Sequence, residues 1–333
     1  MKKRYANLEK LITSHLNAAK ALGVSQRELF ETIGISKSYL SEILSSMEER
    51  KLISRKLEPG KMKRIWSSEF FPGFSQGILR IGMLKSSEYL PLLHSIRKKA
   101  ESAGILLRVR VYRSALSLID DLKSGILEIA FAPLYTSVVS TFTASNLRIV
   151  HLIASGGAGI FRKTGYDGTS CRSTEVSSMI LMLRAYLDST GLKPVIEPFT
   201  DPCLGMNGFL SGKYGQICIW EPFASHLRHV DHVNEMAEYS GLLGDLPCCC
   251  VVVRNNTIEL SSSMIRDCKT VEFDAEDVEK IGFCGFEGSV NESISRYNFN
   301  VDRSFAAFTG FLSRLGLTVT ERSARKFYVP AIE

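Results

Sequence analysis

The chain reads as an α/β protein in two unequal parts, a short basic unit of helices and a hairpin followed by a larger module of alternating strands and helices. Three observations predict this. Residues 25–66, SQRELFETIGISKSYLSEILSSMEERKLISRKLEPGKMKRIW, give two short helical patterns around a turn, then two strand patterns around a second turn. Residues 1–68 hold 14 Lys+Arg against 7 Asp+Glu, a net +7, while the whole chain carries +6, so the rest is close to neutral. From Ile78 onward, strand-length apolar runs alternate with helical periods, the pattern of a parallel sheet covered by helices on both faces.

The elements follow in order. Tyr5, Leu8, Ile12, Leu16 and Ala19 recur at helical spacing. Ser25 with Glu28 three residues later is a capping box that opens a helix with Leu29 and Ile33 inward, and Gly34 supplies the turn. A further helix opens near Ser36 and turns Leu40, Ile43, Leu44 and Met47 to one side. After Leu52 come two short strands around Glu58-Pro59-Gly60, flanked by Arg55, Lys56, Lys61, Lys63 and Arg64. Helix, turn, helix and basic hairpin in that order resemble a winged helix-turn-helix, as in MarR-like regulators. That resemblance implies double-stranded DNA as partner, with Ser38, Tyr39 and Ser41 of the second helix at the bases or phosphates and Lys37 on the backbone. Arg55, Lys56, Lys61, Lys63 and Arg64 would hold phosphate from the wing. One such unit buries little surface, so a homodimer is expected.

Length and composition bound the remainder. At 333 residues and 45% hydrophobic content the chain exceeds one ordinary domain and can fill real cores. No apolar run of about eighteen residues is present, so no membrane span and no membrane partner are expected. The start, MKKRYANLEKLITSHL, is basic but lacks the uninterrupted apolar stretch of a signal peptide. All eight cysteines lie between Cys171 and Cys284, three of them consecutive, a poor layout for a disulfide framework. Free thiols without an export signal predict a cytoplasmic location.

Residues 1–68 are expected to form one domain, 69–77 a linker broken by Pro72 and Gly73, and 78–333 a ligand module whose second lobe runs from about 155 to 245. Within it, strands are expected at 78–83, 106–112 and 126–132, with helices at 90–103 and 115–124 between them. The pattern resumes with a helix at 176–190, a strand at 193–197, a helix at 203–211 and strands at 216–220 and 247–253.

Four segments carry a second resemblance: Leu122–Ala130, Gly157–Arg162, the hydroxyl-rich Cys171–Ser178 and Leu210–Phe223, which contains Trp220-Glu221-Pro222. Their order resembles the type II periplasmic-binding-protein fold, in the branch that includes sulfonate-, nitrate- and thiamine-precursor-binding proteins. It implies a two-lobed α/β module with a small-molecule effector, unknown in identity but of the thiamine-precursor or small-anion kind. In open α/β sheets ligands sit beyond the carboxyl ends of strands and against helix N-termini. The candidate ligand residues are therefore Ser86, Ser87, Arg113, Ser114, Pro133 and Tyr135 on the first lobe. On the second they are Ser173, Thr174 and Ser177 at a helix start, with Trp220 stacking on the ligand and Glu221 accepting from an amine.

Cys248-Cys249-Cys250 is followed by three valines, which says buried strand; alternation would place Cys248 and Cys250 on one face and Cys249 on the other. The thiamine-pyrimidine synthases of the same fold carry a cysteine-rich run at what resembles this strand, which raises an iron-dependent enzyme as an alternative. Here Val251-Val252 replace the aromatic residue and further cysteine of that run. No nucleophile elbow, Walker loop or zinc-helix motif occurs, and His226, His229 and His232, spaced three apart, lack an accompanying carboxylate in register. No enzyme activity, no cofactor and no metal are therefore expected. The sequence predicts a cytoplasmic, ligand-responsive transcriptional regulator, with a ligand-free dimerisation module as the further alternative.

Overall fold

The computed structural model describes residues 2–57, 63–73, 75, 77–167, 170–174, 176–193, 195–266, 272–282 and 287–330. The N-terminal unit comprises α1 (Lys2–Ala19), β1 (Val24–Ser25), α2 (Gln26–Ile33), α3 (Lys37–Glu49), β2 (Ile53–Leu57) and β3 (Lys63–Ser67). Its strands form an antiparallel sheet in the order β1-β3-β2. The capping box is present: Ser25 N donates to Glu28 Oε2 at 2.6 Å and Glu28 N to Ser25 Oγ at 3.1 Å. Gly34 ends α2 at φ 68°, a left-handed position that a side chain would strain. Ile12, Leu16, Leu29, Leu40, Ile43, Leu44, Met47, Ile53 and Ile65 form a closed core, each burial contributing about 2 kcal/mol.

The body follows as β4 (Ile78–Leu84), α4 (Leu90–Ser102), β5 (Leu106–Tyr112), α5 (Ala115–Ser124), β6 (Ile129–Pro133), α6 (Leu134–Thr143), β7 (Leu147–Gly156), β8 (Ala158–Lys163), β9 (Ser170–Ser173) and α7 (Ser178–Thr190). It continues through β10 (Val195–Pro198), α8 (Pro202–Leu210), β11 (Gln216–Trp220), α9 (Phe223–Arg228), β12 (Val233–Glu238), α10 (Tyr239–Leu243) and β13 (Pro247–Arg254). Last come α11 (Ile258–Ile265), α12 (Ala275–Ile281), α13 (Glu287–Ser295), β14 (Tyr297–Asn298) and α14 (Phe305–Arg314).

Two sheets divide this body. The first has the order β14-β7-β13-β6-β4-β5 and the second β10-β9-β11-β8-β12. The expected all-parallel sheet is corrected here. β4 pairs in parallel with β5 and β6, but β13 runs antiparallel to both β6 and β7. The reason is the route of the chain: it leaves the first sheet at the end of β7, builds the second, and re-enters at β13 from the opposite direction. The outward crossing is Gly156-Gly157, both at positive φ (89° and 64°). A Cβ on Gly157 would lie 1.9 Å from the Tyr297 ring, so only glycine fits there.

Arg80 fastens the N-terminal unit to the first lobe. It is 2% exposed, and its Nε donates to Glu128 Oε2 at 3.0 Å. The same guanidinium donates to the carbonyls of Ser68 (3.4 Å), Phe71 (2.5 Å), Gly73 and Gly125 (3.1 Å). Arg110 adds a bond to Glu69 O at 3.2 Å and stacks 4.1 Å from the Phe70 ring. A buried charge needs such full pairing, and here backbone carbonyls of 68–73 supply part of it.

Candidate functional site

Between the sheets lies a cleft of about 780 Å³, part of it open to solvent, with walls from both lobes. The first lobe contributes Ser86, Glu88 and Tyr89 beyond β4, Arg113 to Leu116 where β5 turns into α5, and Pro133 at the end of β6. Cys248 and Cys249 of β13 and Tyr297 of β14 form the floor beside Gly156-Gly157. The second lobe contributes Thr174, the start of α7 from Val176 to Met179, Phe199-Thr200 and Trp220. Two helices thus open on the cleft, and their first amides have no intrahelical acceptor. Ser114 begins α5 without a side-chain cap bond, whereas Ser177 Oγ accepts from Met179 N at 3.1 Å.

Seven of the expected ligand residues converge here: Ser86, Arg113, Ser114, Pro133, Thr174, Ser177 and Trp220. The Trp220 ring stands 6.1 Å from Phe199 at 21°, and its Nε1 donates across the lobes to Lys85 O at 2.6 Å. Arg113 sits at the mouth, 86% exposed at the side chain and 3.5 Å from Asp201 of the opposite lobe. Thr174 and Ser177 hydrogen-bond to each other through their hydroxyls.

Four expected residues are placed elsewhere, which corrects the sequence reading. Glu221 is fully buried behind Trp220, where Oε2 accepts from Ser225 N at 2.7 Å and Oε1 pairs with Arg228 at 2.5 Å. Burial raises its carboxyl, opposed by Arg228; it holds α9 in place and does not face the cleft. Ser87 is buried and accepts from Ser293 Oγ at 2.8 Å. Tyr135 packs against the first-lobe core, and Ser173 is fully enclosed in β9.

The cysteines depart from simple alternation. Register shifts in the β13–β7 pairing between Pro247 and Cys249 and between Cys249 and Cys250 rotate the strand locally. Cys248 and Cys249 therefore both line the cleft, with sulfurs 3.3 Å apart, while Cys250 does not. Burial pushes the Cys249 thiol well above its ordinary range and Cys250 to about 12, so both are neutral thiols near pH 7. Glu88, Tyr89, Phe199 and Tyr297 are cleft residues that the sequence reading did not select. Glu88 and Tyr89 directly follow the selected Ser86 and Ser87, but Tyr297 arrives from a two-residue strand 209 positions after Glu88 and left no local signal.

Several basic residues of the N-terminal unit are engaged within it. Arg55 pairs with Glu48, Arg64 Nη1 donates to Leu22 O at 3.1 Å, and Lys37 lies 5.3 Å over the Phe30 ring. Lys56 and Lys63 stand opposite Arg64 and Leu57 on β2 and β3. Ser38 lies 3.3 Å from the cap residue Ser36, whose Oγ accepts from Tyr39 N, and Ser41 is on the same helix, α3. Lys61 lies outside the described residues.

His229 pairs with Glu292 at 2.8 Å. The single group among the described residues with a metal-like arrangement, His94, Asp274 and Asp277, is occupied by the Arg97 guanidinium, 3.0 Å from Asp277.

No family model matches the chain, and no curated protein sequence matches it. Solved structures do. The ligand-binding component of an ABC-type import system from Staphylococcus aureus, with zinc bound, matches at TM-score 0.63 and 15% identity, over 77% of this chain and 97% of that one. The alkanesulfonate-binding protein of Xanthomonas axonopodis pv. citri, bound to MOPS, gives 0.59 and 15% over 76% and 99%. The periplasmic nitrate-binding protein of Synechocystis PCC 6803 gives 0.58 and 13% over 76% and 86%. These three neighbours are ligand-, alkanesulfonate- and nitrate-binding proteins. They correct the expectation of a cytoplasmic, ligand-responsive transcriptional regulator with double-stranded DNA as its partner. The expected homodimer rested on DNA binding and falls with it. Over about three quarters of its length, the chain has the type II periplasmic-binding-protein fold.

Proposed function

We propose that the chain binds a small solute between its two lobes, as the solute-binding component of an import system outside the cytoplasm. The observation that carries this reading is the cleft itself: strand ends of one lobe and a helix start of the other face each other across Gly156-Gly157. Ser114 to Leu116 and Thr174 to Met179 offer amides and hydroxyls to an acceptor group, and Trp220 with Phe199 offers aromatic faces. The lobes meet through Trp220 and Lys85, Arg113 and Asp201, and Ser178 Oγ donating to Cys248 O at 2.7 Å. A solute that touches both walls favours this closed arrangement over an open one. Binding without turnover is the activity this supports.

In this reading residues 78–333 form the solute module, 69–77 connect it, and 1–68 form an appended unit. Its order of helix, strand, helix, helix and hairpin supports reading this unit as winged-helix-like. Arg80 and Arg110 hold the segment that joins this unit to the first lobe.

Thermal unfolding of the full chain against alkanesulfonates, nitrate, zinc and small amines tests the reading. A solute at about 100 times its Kd stabilises the native state by about 2.7 kcal/mol, a clear rise in midpoint. A midpoint unmoved by every compound would contradict it.

A further inference from the structure

Among the described residues lining the cleft there is one carboxyl, Glu88, and no cation pairs with it. Its residue is 4% exposed, and Ser86 Oγ donates to Oε2. Ser86 lies 3.4 Å from the Tyr297 hydroxyl, so Glu88 belongs to a small polar group at the floor. Among the described residues no lysine, arginine or histidine forms an ion pair with it. The charges nearby are committed elsewhere. Arg113 is at the solvent-exposed mouth with Asp201. Arg303 lines a separate cavity that Glu88 also borders, and it is bound to the carbonyls of Leu152 (2.9 Å) and Phe299 (3.0 Å). Ser86, Tyr297 and Tyr89 supply it with neutral hydroxyl hydrogen bonds, and none of these partners carries a charge.

Resting on the reading of the cleft as a solute site, we propose that its solute presents a protonated amine, an amidine or a comparable N–H donor to Glu88, with a flat apolar body beside Trp220 and Phe199. An oxyanion such as nitrate or a sulfonate would bring a second negative charge to the ionised carboxylate in a water-poor site, where repulsion is stronger than in solution, and would be accommodated only by the protonated form. A charge-assisted N–H to carboxylate bond is among the stronger polar contacts available, and a partner cation also offsets the desolvation of Glu88. Burial raises this carboxyl, so a cation arriving beside it would displace a proton or find the carboxylate already formed. The solute class therefore differs from that named for the sulfonate- and nitrate-binding neighbours, although the fold is shared.

The test compares two probes that share a phenyl ring and carry opposite charge, benzamidine and benzenesulfonate, by isothermal titration of the full chain. Benzamidine is expected to bind at least about tenfold tighter, and Glu88→Gln to erase that preference, because an amide cannot supply the negative charge. The unfolding midpoint of Glu88→Gln shows whether the variant is folded; if it is not, the wild-type ranking alone decides. Benzenesulfonate binding as tightly as benzamidine, or a preference unchanged in folded Glu88→Gln, would overturn the inference while leaving the cleft a solute site. Binding of neither probe, with no shift from any compound of the broader panel, would remove both readings together.

Discussion

At the scale of single residues, Arg80 and His151 give the most direct consequences. Arg80→Met would leave the fully buried Glu128 without its bidentate partner, with Arg254 Nη2 still 3.8 Å away. Breaking one side of a buried pair costs about 3–5 kcal/mol, so the urea midpoint should fall by a corresponding amount. A variant as stable as the parent would show that the carbonyls of Ser68, Phe71 and Gly73 need no donor. His151 is 6% exposed, and burial, aided by the Arg303 charge, lowers its pKa to about 3. The folded chain keeps this imidazole neutral, while the unfolded chain protonates it below its ordinary value of about 6.5. The unfolded state therefore binds more protons between about pH 6.5 and 3, and the stability gained from a neutral His151 is lost as pH falls through that window. Between pH 7 and 5, His151→Leu should lose about 2 kcal/mol less than the parent in paired denaturation curves. Equal losses would mean that the imidazole titrates normally.

At the scale of elements, much of the architecture was legible. Leu106–Tyr112, Ala115–Ser124 and Gln216–Trp220 fall where their patterns place them, because apolar periodicity and a following glycine at Gly125 are local signals. What failed was non-local. The direction of β13 depends on the chain returning from the second lobe, which no window of sequence contains. The facing of Cys248 and Cys249 depends on register shifts against β7 that alternation alone does not anticipate. The hydroxyl-rich Thr174–Ser178 run was recognised as a helix start, but Glu221 looked equally available and is consumed by Arg228. Two outcomes follow for these elements. Cys203, half-exposed at α8, should be alkylated before Cys248, Cys249 and Cys250 in the native protein, as judged by peptide mass spectrometry with timed iodoacetamide; prior labelling of the triplet would place the floor of the cleft in solvent. Gly157→Ala forces a Cβ into Tyr297 at a positive φ and should lower the unfolding midpoint by at least 1 kcal/mol equivalent, about the cost of strain at such a position. An unchanged midpoint would show that Tyr297 moves freely.

For the whole molecule, charge and thiol content proved weaker guides than topology. A net +7 in the first 68 residues favoured phosphate partners, yet Arg55, Arg64 and Lys37 are engaged inside that unit, and the solved structures most like the body are solute-binding proteins. Reduced cysteines suggested the cytoplasm, yet the described cysteines are free thiols most of which are buried in the core, so their reduced state follows from the fold and not from the compartment. The two-lobed organisation was predictable from the order of four glycine- and hydroxyl-marked segments, and it is the feature on which the functional account stands.

The account's central claim is a solute held between the lobes against Trp220, and Trp220 itself can report it. Emission of the Trp66→Phe protein, which leaves Trp220 as its one tryptophan, would be titrated with alkanesulfonate, nitrate, zinc and benzamidine under conditions where the protein is folded. The account predicts a saturable change in Trp220 emission with at least one of them, together with reduced quenching by acrylamide as the lobes close. Emission and quenching that stay constant for every solute would contradict it.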